Sequence, residues 1–233
     1  MDMVSIIIIV VAMLITGGAQ AYISANYKKY KQVAVKSGKS GYDVAREILD
    51  KNGLNKVLIL ETDGELTDHY DPSKKVVKLS HDIYNGKTVA AVSVASHECG
   101  HAIQDKNGYA FLKFRNTIVP LVNFSTKIGY LAIVLGIVLS LAKLMYVGIA
   151  FEVIILLFQL VTLPVEFNAS SRALKLIKEY GIVTEDEHSG AKKMLTSAAL
   201  TYVAGVLSTL AEILRYILIF SGRDNRWLQK LIV

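Results

Sequence analysis

The chain has 233 residues, of which 52% are hydrophobic and only 20% are charged, and its mean hydropathy is +0.39. This composition excludes disordered, collagen-like and low-complexity proteins. The single cysteine, Cys99, excludes a disulfide framework and a zinc site built from several cysteines. The net charge of +6 is modest, and beside long apolar stretches it favours attraction to a membrane surface, so no nucleic-acid partner is expected.

Apolar stretches along the chain predict about four transmembrane helices. Residues 3–25 contain no charged side chain, and a spanning helix needs about 20 such residues. A signal peptide is the alternative there, but no lysine or arginine precedes the run and its apolar core is long. The stretch 118–165 is long enough for two spans with a turn near Lys143, and residues 195–221 supply a fourth span.

Basic residues near the span ends predict the orientation of the chain, because they tend to stay in the cytoplasm. A run of lysines without any acid follows the first span: Lys28, Lys29, Lys31, Lys36 and Lys39. The N-terminus is therefore expected outside the cell membrane. The predicted segments are an anchor helix at 1–25, a cytoplasmic domain at 26–117, a transmembrane hairpin at 118–165, a cytoplasmic segment at 166–194, a span at 195–221 and a tail at 222–233. The tail is expected outside or flat on a membrane surface.

The polar segment 26–117 is long enough for a small α+β domain. Its first helix is expected to start after the N-cap residue Ser40 and to end near Gly53, and a second helix begins near Gly86 or Thr88. Three strands are expected between these helices, the last two forming a hairpin around an Asp-Pro-Ser-Lys turn, at residues 57–60, 65–70 and 75–79.

The second helix carries the residues that indicate chemistry. His97-Glu98-Cys99-Gly100-His101 matches the H-E-x-x-H pattern, in which two histidines four residues apart lie on one helix face. This spacing suits two imidazoles on one tetrahedral zinc ion, with Glu98 as general base toward the water on the metal and later as proton donor. Cys99 points away from the histidine face and is interpreted as a packing residue. Two buried histidines with other partners are the alternative.

A catalytic zinc site needs a third protein ligand, because it keeps three protein ligands and a water. Three candidates precede the helix, in or near the predicted hairpin: His69, Asp71 and His81. Glu166 follows the predicted return of the chain to the cytoplasmic side, where the His97 helix is also expected, and it is the favoured ligand. If the helix of Glu152 continues to Glu166, the two residues lie about 21 Å apart, and Glu152 cannot serve the same site. The alternative for Glu166 is an acid in a first helical turn that the helix dipole favours.

The chain resembles the YugP-type family of bacterial zinc-dependent membrane peptidases. The matching stretches are spread over most of the chain: GYDVAREIL, GELTDHYDPSKKVVKLS, AAVSVASHECGHAIQ and LPVEFNASSRAL. The resemblance implies a multi-pass membrane metalloprotease with zinc on His97, His101 and Glu166 and with Glu98 as catalytic acid and base. The expected fold is a mainly α membrane protein with about four transmembrane helices and a small zincin-like α+β cytoplasmic domain that contains a β-hairpin.

More distantly, the chain is similar to membrane gluzincins of the Ste24 and HtpX kind. In those proteins an aspartate four residues after the glutamate ligand orients a zinc histidine, and here that place is Ser170. Ser170 and Asn168 are therefore the candidates for orienting the histidines. In gluzincins a strand beside the zinc helix lines the cleft, and peptides add to its edge. On that comparison His69 and Asp71 are cleft candidates and His81 is a candidate donor to the oxyanion, whereas a hairpin that only covers the core is the alternative.

The sequence thus predicts a membrane-anchored zinc endopeptidase with one zinc ion per chain, a site that faces the cytoplasm, and peptides or membrane proteins as substrates. A site-2-type intramembrane protease is disfavoured, because the apolar run around the motif, 89–103, is short. A non-catalytic zinc-binding scaffold or assembly subunit is the alternative from another class, although closed structural zinc sites usually have four protein ligands. An oligomer or a regulatory membrane partner is compatible with either prediction.

Overall fold

The structure, a computed structural model, describes the backbone of residues 3–139 and 141–231, and the side chains of these except for residues 142 and 220–231. The described residues form a mainly helical chain with one small sheet. Its elements in chain order are α1 (Met3–Tyr30), α2 (Gly41–Lys51), β1 (Leu58–Thr62), β2 (His69–Asp71), β3 (Val76–Ser80), α3 (His81–Tyr84), α4 (Val89–Lys106), α5 (Ala110–Val138), α6 (Ala142–Glu179) and α7 (Glu185–Leu231). The predicted fold class is confirmed.

Within the described part of the chain, four helices are long and apolar enough to cross a membrane: Met3–Tyr30, Ala110–Val138, Lys143–Glu179 and Glu185–Ile219. At most 33% of the residues in the apolar window of any of them are buried. Such large exposed apolar surfaces are rare on proteins surrounded by water and are ordinary in lipid. The prediction of about four apolar helices of spanning length is therefore confirmed.

The chain divides into two compact units. One contains residues 3–19, 114–162 and 202–231 of the described chain, which include most of the apolar length of the four long helices. The other contains Gln20–Lys113 and Leu163–Thr201, and therefore holds α2, α3, α4, the sheet and the polar ends of the long helices. All residues of the candidate site lie in this second unit.

The sheet of the second unit has the strand order β1-β3-β2, with β1 parallel and β2 antiparallel to β3. The predicted hairpin is β2–β3, and its turn is held by the Asp71 carboxylate, which accepts hydrogen bonds from the Ser73 and Lys74 backbone N–H groups. The strand predicted at 65–70 is correct only in its last two residues. The preceding residues cannot extend, because Gly64 has a φ of 91° and Leu66 a φ of 58°.

Helices α2 and α4 pack against each other in the interior of this unit. Helix α2 begins at the predicted N-cap Ser40, which forms a capping box with Asp43. Helix α4 begins after the N-cap Thr88, within the predicted region. The facing sides of the two helices are fully buried and carry several small residues: Val44, Ala45, Ile48 and Leu49 on α2, and Ala91, Ala95, Cys99 and Ala102 on α4. The Cys99 thiol donates to the Ala45 carbonyl at 3.6 Å. The interpretation of Cys99 as a packing residue is confirmed.

The long helices continue beyond the predicted spans. The connection between α5 and α6 falls at residues 139–141, close to the predicted turn near Lys143. Helix α6 then runs through Pro164 without interruption, so that Glu166 belongs to the same helix as the preceding apolar span. Helix α7 begins at Glu185, before the predicted span at 195. Its backbone continues to Leu231, whereas the side chains of the predicted tail lie outside the described residues.

Candidate metal centre

Three side chains from two helices bring their ligand atoms together in the second unit. His97 and His101 lie one turn apart on α4, and Glu166 comes from α6. The Nε2 atoms of the two histidines are 3.1 Å apart. The Oε2 atom of Glu166 lies 3.2 Å from His97 Nε2 and 3.6 Å from His101 Nε2. Among the residues that the structure describes, these three form the group of histidine and carboxylate ligands suited to a metal ion.

The spacing of these atoms fits a zinc ion. Ligands at about 2.0–2.1 Å from a tetrahedral ion are about 3.3–3.4 Å from one another. The observed separations of 3.1, 3.2 and 3.6 Å lie within about 0.3 Å of this value. Two imidazoles and one carboxylate are also a donor set of catalytic zinc sites, which leave the fourth position for water or substrate. The residues present therefore fit a catalytic zinc ion.

The close approach of α4 and α6 explains how the ligands meet. A Cβ atom added to Gly100 would lie 2.7 Å from the Ala169 carbonyl oxygen, a distance that real Cβ atoms essentially never show. Glycine at this position therefore allows the two helices to touch. His97 and His101 lie three positions before and one position after Gly100, and both face the site because residues four apart lie on the same helix face. On α6, Glu166 and Ser170 lie at the same two offsets from Ala169 and also face the site.

Glu98 is buried beside this group, with 7% of its surface exposed. Burial is the largest cause that raises the pKa of its carboxyl above the ordinary value of glutamate. Glu166 adds to this effect, and His97 and His101 oppose it. Burial also raises the pKa of the neighbouring Cys99 thiol, so this cysteine is not an activated nucleophile.

Each histidine has a hydrogen-bond partner at its other ring nitrogen. The Ser170 hydroxyl lies 3.1 Å from His97 Nδ1, which is the place expected for a group that orients a zinc histidine. The amide oxygen of Gln104 lies 3.0 Å from His101 Nδ1. The other candidate, Asn168, touches Gln104 rather than a histidine. Sequence reasoning missed Gln104, although a polar residue three positions after His101 on an apolar helix is a detectable signal.

The remaining candidates are not brought into this ligand group. His69 is exposed and its Nδ1 donates to the Thr67 carbonyl at 2.8 Å. Asp71 holds the hairpin turn described above. The His81 side chain is 75% exposed at the start of α3, where it contacts Glu61.

Comparisons with known proteins show to which family the chain belongs. A family model described as "Putative neutral zinc metallopeptidase" matches residues 5–221. The chain is 44% identical over 224 residues to the "Putative membrane protease YugP" of Bacillus subtilis (strain 168). The alignment covers 96% of this chain and 100% of the relative. No solved structure matches the chain. The predicted resemblance is therefore confirmed over nearly the full length, and the chain belongs to this family of neutral zinc metallopeptidases.

Proposed function

We propose that the chain is a membrane-embedded zinc endopeptidase of the gluzincin type, with one zinc ion per chain and a site at the cytoplasmic membrane surface. The observation that carries the proposal is the convergence of His97, His101 and Glu166 with separations of 3.1–3.6 Å, next to the buried Glu98. Three protein ligands with an adjacent acid favour catalysis over a closed structural site, which would need a fourth protein ligand.

The roles of the side chains follow from their chemistry. His97, His101 and Glu166 would hold the ion. When bound, zinc supplies Lewis-acid chemistry, which polarises a carbonyl oxygen and makes water acidic. Glu98 takes the proton from the attacking water and then gives it to the nitrogen of the leaving amine. Because Glu98 is almost entirely buried, bulk water has little access to this proton.

The sheet offers a place for an extended substrate. Strand β2 is at an edge of the sheet, and its Tyr70 hydroxyl donates to the Asp105 carboxylate of α4 at 2.7 Å, which ties this strand to the zinc helix. A peptide or an unfolded segment of a membrane protein would add to the free edge of β2 through backbone hydrogen bonds. His69 and Asp71, which belong to β2, would then lie beside the substrate.

Elemental analysis and a cleavage assay on the purified full chain test this function. We expect about one zinc ion per chain in the wild type and much less in Glu166→Ala. Glu98→Gln should retain zinc and lose cleavage of fluorescein-labelled casein by about 10²–10⁴-fold, because the ligands remain and the proton carrier is gone. Glu185→Gln is the matched control, because Glu185 is an exposed acid paired with Lys178, and it should change neither quantity.

Each opposite result contradicts a different part of the proposal. Unchanged zinc in Glu166→Ala would remove Glu166 from the ligand set. Full cleavage by Glu98→Gln would remove Glu98 from the mechanism. A wild-type protein that binds zinc and cleaves nothing, with no effect of Glu98→Gln on its role in the membrane, would favour the non-catalytic scaffold.

A further inference from the structure

A row of hydrogen-bonded side chains lies behind His101, on the side away from the ligand group. His101 Nδ1 is 3.0 Å from Gln104 Oε1, and Gln104 Nε2 is 3.0 Å from Asn168 Oδ1. Asn168 Oδ1 also accepts a hydrogen bond from Arg172 Nε at 2.7 Å. The row therefore joins α4 to α6 through two amide side chains.

The Arg172 guanidinium and the Val165 carbonyl determine the orientation of both amides. The guanidinium of Arg172 can only donate, so the atom of Asn168 that faces it is the oxygen. Gln104 Nε2 lies 2.8 Å from the Val165 carbonyl oxygen, which can only accept. A rotated Gln104 amide would place its oxygen against two other oxygens. Gln104 therefore donates toward Val165 and Asn168, and its own oxygen faces His101.

The orientation of Gln104 decides which nitrogen of His101 carries the proton. Because the amide oxygen of Gln104 only accepts, His101 Nδ1 must be the N–H group. In a neutral imidazole the other nitrogen, Nε2, is then the free acceptor, and this is the atom that faces His97 and Glu166. This tautomer is required for metal binding through Nε2, because the nitrogen that binds the ion must carry no proton. The tautomer of His97 is not determined in this way, because its Nδ1 contacts the Ser170 hydroxyl, which can donate or accept.

We propose that Gln104 is a positioning residue, held by Val165, Asn168 and Arg172, that fixes the ring orientation and the Nδ1–H tautomer of His101 for metal binding. The inference rests on the proposed zinc site and adds a residue to it. Gln104 has no exposed surface, so its amide cannot exchange these partners for water. Removing the amide leaves His101 Nδ1 and the Val165 carbonyl without their partner in a buried place.

Zinc affinity of the purified full chain, measured by competition with a chromogenic chelator, tests this proposal. We expect Gln104→Met, which keeps the length of the side chain, to weaken zinc binding by about 10–100-fold. The absorption spectrum of the cobalt-loaded protein should also change, because it reports the geometry of the ligands. Ser96→Ala is the matched control, because Ser96 is buried on the same helix and its hydroxyl bonds to the Val92 carbonyl. It should leave both readouts unchanged.

A pair of variants at Asn168 provides a test that does not depend on the folding of Gln104→Met. Asn168 acts in the row only as an acceptor, so Asn168→Asp should keep the affinity and the cobalt spectrum of the wild type. Asn168→Leu, which cannot accept, should weaken zinc binding. Equal zinc affinity and equal cobalt spectra in the wild type, Gln104→Met and Asn168→Leu would overturn the positioning role and leave the zinc peptidase intact. Equal losses of zinc affinity in Gln104→Met and Ser96→Ala would also overturn the positioning role. A wild type that binds no zinc would overturn both proposals.

Discussion

Gly100, within the H-E-x-x-H motif, lies at a close contact between α4 and α6. The backbone of α6 approaches this residue so closely that a Cβ atom here would lie only 2.7 Å from the Ala169 carbonyl oxygen. Ala169 and Ala173, one turn apart on α6, are fully buried and have small side chains. Side chains this small allow the candidate ligands of the two helices to approach within 3.6 Å of one another.

Gly100→Ala should therefore weaken zinc binding and destabilise the fold. The added methyl group would lie 2.7 Å from the Ala169 carbonyl oxygen, and relieving that contact moves α6 away from α4. Overpacking of this kind costs about 1–3 kcal/mol. Zinc content and the thermal midpoint of the purified protein measure the two effects.

Gly205→Ala is the control for this prediction. It also replaces a glycine within a helix, but the nearest atom to its new Cβ is Gln159 Nε2 at 3.9 Å, an ordinary contact. We expect unchanged zinc content and an equal or slightly higher thermal midpoint. If Gly100→Ala behaves in the same way, the close approach does not determine the site.

The residues of the site differ in how far sequence reveals them. His97, Glu98 and His101 share one short motif whose spacing matches one helix face, so they could be predicted directly. Glu166 required the additional argument that a membrane hairpin returns the chain to the same side. Ser170 was reached through the resemblance. Gln104 was missed, because its role depends on the Val165 carbonyl and on Asn168, which reach it only through the packing of α6 against α4.

Among the elements, α2 shows how local sequence alone forms a helix end. The Ser40 hydroxyl accepts from the Asp43 backbone N–H at 3.2 Å, and the Asp43 carboxylate accepts from the Ser40 N–H at 2.9 Å. The backbone N–H and then the hydroxyl of Ser40 hold the pKa of Asp43 below its usual value. The helix that begins here packs against α4 and so supports the zinc helix from the side opposite to α6.

Ser40→Ala should reduce the free energy of unfolding by about 1 kcal/mol, the usual cost of losing such a cap. The thermal midpoint of metal-free protein in detergent, followed by circular dichroism, measures it. Ser37→Ala, at an exposed serine in the preceding loop, is the control and should have no effect. Equal effects of the two variants would contradict a stabilising cap.

The capping box also predicts a dependence on pH. The pKa of Asp43 is lower in the folded than in the unfolded chain, so its contribution to stability is complete above the unfolded value of about 3.9 and disappears as the pH falls through the folded value. The difference in thermal midpoint between the wild type and Asp43→Asn should therefore be largest near neutral pH and shrink in acid. A difference that grows in acid would have the wrong sign.

At the scale of the whole molecule, the membrane orientation would determine on which side of the membrane a substrate of the proposed site must lie. The four apolar helices and the lysines after α1 predict that the zinc helix lies on the cytoplasmic side. The same scheme places the connection between α5 and α6 outside. Because Cys99 is the single cysteine and is fully buried, we expect a thiol reagent to label introduced cysteines and not the wild-type chain.

A membrane-impermeant maleimide on intact cells tests this orientation. Leu139→Cys, in the exposed connection between α5 and α6, should be labelled on intact cells. Lys74→Cys, in the exposed turn between β2 and β3, should be labelled only after the membrane is permeabilised. The reverse pattern would place the site outside the cell, and labelling of the wild type would show that Cys99 is accessible.

The sequence by itself determined the apolar helices, the capped α2, the hairpin turn and the spacing of the two histidines. Each of these depends on residues within about one or two turns of each other, or on the length of one apolar run. Only the tertiary structure decided that β1 joins the hairpin beside β3, that Gly100 touches Ala169, and that Gln104 donates to the Val165 carbonyl and to Asn168. These contacts join segments up to about seventy residues apart, and they follow from how the surfaces of whole helices and strands fit together, which no local pattern specifies.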